Sequence, residues 1–144
     1  MTAEVSTLRL YLMRAVFLLN FLVLGSDVWP ALLDRREPWD PVAAVAFSCW
    51  AALSLLSLLG LRYPVKMLPI LLFQATYKAI WLLAVALPQR ADFQAVDLTK
   101  IMLIGLAVDI LVIPWVFVFR HYIRAPGDLW RIGLPERPSD QEIR

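Results

Sequence analysis

Four stretches of this chain, residues 8–33, 42–61, 65–87 and 98–119, are almost continuously apolar. Each reaches the roughly 20 residues that a helix, rising about 1.5 Å per residue, needs to cross a hydrocarbon core about 30 Å thick. The runs do not alternate in polarity as half-buried strands do. A lone strand in lipid would also leave its backbone groups unpaired, which only a helix or a closed barrel avoids. The pattern therefore predicts an all-α, polytopic integral membrane protein: an antiparallel bundle of four transmembrane helices over residues 1–124, followed by a tail over 125–144 that is partly disordered. Composition supports the choice of solvent. Sixty per cent of the 144 residues are hydrophobic and only 18% are charged, too few to cover a soluble domain of this length. The expected surroundings are a lipid bilayer.

The borders of the runs carry helix punctuation. Asp40 followed by Pro41 reads as an N-cap with proline at the first helical position, where the missing N–H costs nothing. Tyr63 and Pro64 mark a turn into the third run so tight that the second and third helices must be antiparallel neighbours, and Pro88 closes the third run. Pro114 should kink the fourth run, and Pro69 either kinks the third or sits harmlessly at its start. Arg9 and Arg14 precede the first run in the order a signal peptide requires, but the run continues past Asp27 and lacks an A-x-A site, so an uncleaved span is expected.

Charge placement sets an expected orientation. Arg9, Arg14, Arg62, Lys66, Arg120, Arg124, Arg131, Arg137 and Arg144 fall on the side of both termini, and only Arg35, Arg36, Arg90 and Lys100 fall on the other. Nine against four places both termini in the cytoplasm, and a bacterial inner membrane is the simplest location. Tyr11, Tyr63, Tyr122 and Trp130 would then lie at one interface, with Trp29 and Trp39 at the other. Arg14 reads as an interface anchor, and residues 129–132 as a short interfacial segment or an ordinary solvated tail. A net charge of +2 without a basic stripe argues against nucleic acid as a partner.

Within the runs, Lys78 stands out. It lies near the middle of the third run, and Asp109 lies near the middle of the fourth. Two charges at one depth predict an ion pair, because each alone at the bilayer centre costs about 2.5–3.5 kcal/mol on insertion scales. Asp27, in the outer third of the first run, is the alternative partner for a snorkelling lysine. Helical spacing widens the cluster. Gln74, Tyr77, Lys78 and Trp81 share a face of the third helix, Asn20 and Asp27 a face of the first, and Trp50, Ser54 and Ser57 a face of the second. Lys78, Asp109, Asp27, Gln74, Tyr77 and Asn20 form the expected intramembrane polar cluster, with Trp50, Trp81 and Ser54 as pocket lining. Small residues at Ala44, Ser48 and Ala52, at Ala75 and Ala79, and at Gly105 mark where helices approach closely.

Several chemistries fall away. The single Cys49 permits no intramolecular disulfide and reads as a small buried hydrophobe, while the single His121 cannot assemble a metal site. No cofactor and no catalytic residue are expected, and no residue motif ties the chain to a known family. Three functional readings remain. The first is a transporter-like, channel-like or ion-relay component, working as a homo-oligomer. The second is an accessory subunit whose ion pair fixes helix packing for a larger membrane partner. The third is a binding protein or enzyme for a lipid-like ligand.

Overall fold

A computed structural model describes residues 5–34, 38–89 and 96–126, all helix, turn and short connection with no strand among them. Three helices are long and apolar enough to cross a membrane: α1 (Thr7–Leu33), α2 (Pro41–Arg62) and α3 (Leu68–Ala86). Two further helices, α4 (Val96–Val112) and α5 (Trp115–Arg124), form a bent pair that is long and apolar enough for a fourth crossing if the two together count as one span. Residues 129–132, with Trp130, and Arg35, Arg36, Arg90, Arg131, Arg137 and Arg144 of the orientation argument lie outside the described residues, as does most of the tail.

The helix starts follow from their caps. Ser6 Oγ accepts the amide of Arg9 at 3.4 Å to open α1. Asp40 Oδ1 accepts the amide of Ala43 at 2.8 Å, with Pro41 in the first turn of α2. Helix α2 ends at Arg62, and a turn through residues 63–67 delays α3 to Leu68, three residues later than the apolar run begins. Pro69 consequently falls in the first turn of α3, where it kinks nothing. Arg14 does more than anchor an interface. Its Nε donates to the carbonyl of Leu61 at 3.2 Å, satisfying one of the orphan acceptors at the end of α2 with a cation.

The fourth apolar run is broken rather than kinked: α4 and α5 meet at 69° across Ile113 and Pro114. Proline has no N–H to return to the carbonyl of Ile110. The indole of Trp115 supplies one instead, its Nε1 donating to Ile110 O at 2.8 Å. Three further departures from ideal helix are π-helical turns at Asn20–Leu24 in α1, Leu82–Ala86 in α3 and Phe119–Arg124 in α5, which no residue pattern announces. The first is tied to its neighbour by Ser54 Oγ, which donates to Phe21 O at 3.3 Å.

Helix α1 packs mainly along α2, and α3 along α4. The tight turn makes α2 and α3 neighbours, but over a shorter length. Near the turn end, Met13 and Phe17 of α1, Leu68 and Leu71 of α3, and Ile113 and Phe117 beyond α4 form a sealed apolar core. Gly60 brings α2 to it, since a Cβ at that position would run into the Phe17 ring. The small residues of α2 that make this approach are Ala51, Ser54, Ser57 and Gly60. Ala44, Ser48 and Ala52 do not, because Ser48 and Ala52 point outward. Cys49 is likewise exposed on the outer wall, not buried. Long leucine and isoleucine side chains on all four spans share that outer wall: Leu22, Leu55, Leu83 and Leu111 are each about half exposed or more. This surface has no polar cover, as hydrocarbon solvation requires.

Candidate functional site

The polar side chains in the middle of the bundle form one connected chain across three helices. Lys78 Nζ of α3 donates to Asp109 Oδ2 of α4 at 2.8 Å. Gln74, one turn before Lys78, donates through Nε2 to both oxygens of the same carboxylate, at 2.9 and 3.2 Å. Its Oε1 accepts from Asn20 Nδ2 of α1 at 2.6 Å. Asp109 is 1% exposed, Gln74 2% and Lys78 9%. The amide of Gln74 is therefore used at both ends, and its orientation is fixed by what it touches. Charge-assisted bonds from two residues hold the carboxylate, the arrangement a buried anion requires if it is to stay an anion. Among the described residues no buried side-chain nitrogen or oxygen lacks a hydrogen-bond partner.

Gly105 explains how Lys78 fits. A Cβ on Gly105 would stand 2.8 Å from Nζ and 3.2 Å from Cε of Lys78. Gly105 lies one turn before Asp109, so the lysine stem crosses α4 in the notch the glycine leaves and ends on the carboxylate of the next turn. Sequence reasoning marks this glycine as a helix contact. Its part in seating the lysine needs the structure, although the i, i+4 spacing to Asp109 was the signal available.

The cluster is not sealed. Lys78, Asp109, Gln74 and Asn20 line a half-open cavity of about 580 Å³ bordered by residues of α1, α2, α3 and α4. The cavity runs from this polar floor past Leu24 and Val108 to Asp27 and Leu98, and its walls are otherwise apolar. Tyr77 and Trp50 face it as well, with the Tyr77 hydroxyl beside the Trp50 indole. The Tyr77 ring packs against Phe73, tilted with ring centres 5.7 Å apart, and Trp50 against Phe47 at 5.3 Å in the edge-on geometry aromatic pairs favour.

The expected cluster residues thus separate. Lys78, Asp109, Gln74 and Asn20 are brought into contact. Tyr77 and Asp27 share their cavity without joining the hydrogen-bonded chain, and Asp27 is exposed near its far end instead of pairing with Lys78. Of the expected lining residues only Trp50 faces the cavity. Ser54 is fully buried in the α1–α2 contact, and Trp81 stands on a different part of α3. Met102, Val108 and Phe47 are lining residues that sequence reasoning missed, because apolar residues on a cavity wall carry the same signal as apolar residues facing lipid.

Among the described residues no three His, Cys, Asp or Glu side chains stand close enough to hold a metal ion. No family model matches this chain, and no curated protein and no solved structure shows significant similarity to it.

Proposed function

We propose that the protein is a multi-pass membrane protein of the carrier type, taking a small molecule into the cavity between its helices. The carrying observation is the position of the ion pair. Lys78 and Asp109 form the floor of a cavity whose volume falls in the range of about 300–1,000 Å³ usual for small-molecule sites, apolar with a few convergent polar groups. A pair serving helix packing alone would be better placed in the dry core nearby. An intramembrane ionisable residue facing a cavity is the usual mark of a substrate or ion path.

A carrier fits better than an open channel or a proton relay. Below the floor, Met13, Phe17, Leu71 and Ile113 close the path completely. Along the polar chain, the amides of Asn20 and Gln74 interrupt any proton route from Asp109 toward α1, since an amide does not readily take up and pass on a proton. In this reading both termini lie in the cytoplasm, by the excess of Lys and Arg on their side. The cavity then faces the opposite leaflet.

Side-specific thiol labelling tests the reading. In a Cys49→Ser background, Val108→Cys on the cavity wall should react with a membrane-impermeant maleimide added from the side away from the termini, and Val112→Cys in the sealed core should not. If Val108→Cys stays as silent as Val112→Cys, the cavity admits nothing and the carrier reading falls.

A further inference from the structure

From the charge balance of the cavity floor we infer that the molecule this site takes is an uncharged amphiphile, an apolar body with one hydrogen-bond acceptor such as a ketone or hydroxyl oxygen. The inference rests on the binding reading of the same cavity and adds the class of ligand.

The floor presents one cation and one anion, already in contact at 2.8 Å. A second anion drawn to Lys78 would have to displace Asp109 or share its cation. Displacement would strand a carboxylate that is 1% exposed, and sharing would set two anions on one ammonium where neither can be hydrated. A cationic head meets the mirror problem against Lys78. The exposed carboxylate of Asp27 on the same cavity further disfavours anions.

An uncharged acceptor avoids both costs. An ammonium carries three donors, and among the described residues Lys78 spends one, on Asp109. Gly105 holds the stem against α4, so the remaining N–H groups have the cavity before them. Tyr77 lines the same cavity as a second polar side chain. Above them the walls of Val23, Leu24, Met102 and Val108 offer only apolar contact, over a depth of about 10 Å if the seven residues from Asn20 to Asp27 are taken as helix. A site of this kind rewards an apolar body and one oxygen at its tip.

Probes of equal chain length separate the alternatives. The protein in lipid nanodiscs would be titrated with decan-2-one, decyl sulfate and decyltrimethylammonium, with bound probe counted by native mass spectrometry. The ketone should saturate at one per chain, at least tenfold tighter than either charged probe. Binding should weaken in Leu24→Trp, whose larger ring obstructs the way to the polar floor, and weaken about tenfold in the double variant Lys78→Met/Asp109→Leu, which removes both charges together and strands neither charge. A charged probe binding as tightly as the ketone overturns the inference, as does a ketone affinity indifferent to the double variant. If Val108→Cys is labelled while decyl sulfate is preferred, the cavity reading stands and only the ligand class falls.

Discussion

At the scale of single residues, Lys78 and Asp109 are worth more as a pair than either is alone. Removing one leaves the other charged and buried, an uncompensated state that costs about 3–5 kcal/mol in proteins generally, whereas replacing both by apolar side chains is often close to neutral. Lys78→Met alone should therefore lower the melting temperature in detergent sharply, and Lys78→Met/Asp109→Leu should recover part of the loss, the remainder reflecting the buried Gln74 amide left without its acceptor. Melting curves that fall equally for the single and double variants would show that the bundle needs the charges themselves. The apposition was legible in the sequence because depth can be counted along two antiparallel helices, and the two midpoints agree. Gln74 was legible only as a face-mate of Lys78. Its bidentate hold on Asp109 depends on how α3 is rotated against α4, which residue spacing does not specify. Cys49 misled for a related reason: in a chain solvated by hydrocarbon, an apolar neighbourhood marks the outer wall as readily as the interior.

At the scale of elements, each helix end and break has a particular atom answering for it. The boundary at Asp40 and Pro41 was fully legible, since capping is local chemistry. A disturbance at Pro114 was legible too, but its size was not. A proline alone kinks a helix, and the full 69° turn also needs Ile113 and Phe117 to seat themselves in the core beside α1 and α3. The π-helical turns were invisible, because they express packing between helices rather than any preference of their own residues. The break is held by the Trp115 indole on Ile110 O. Trp115→Phe keeps the ring and removes the donor, leaving a carbonyl without a partner that, on the proposed placement in lipid, no water would reach. It should cost about 1–3 kcal/mol, read as a lowered melting midpoint. No change in melting would mean that another donor reaches this carbonyl.

At the scale of the whole molecule, an all-helical bundle with a leucine-rich exterior follows from composition and run length alone, and the pairing of α1 with α2 and of α3 with α4 does not. The membrane placement proposed above has a test that needs no substitution. Cys49 lies nine residues from the cap of α2, about 13 Å along the axis, and faces outward. In sealed vesicles it should be unreactive toward an impermeant maleimide from either side and become reactive on denaturation. Labelling of the native protein would place this face in water. The broken fourth crossing has a mechanical corollary for the surrounding lipid. Helix α4, with 17 residues, rises only about 25 Å before the chain turns aside, against about 33 Å for the 22 residues of α2. On the proposed placement, acyl chains beside α4 would have to shorten or splay to meet so low a wall, giving the bilayer a one-sided dimple around each copy and favouring membranes that are already thin.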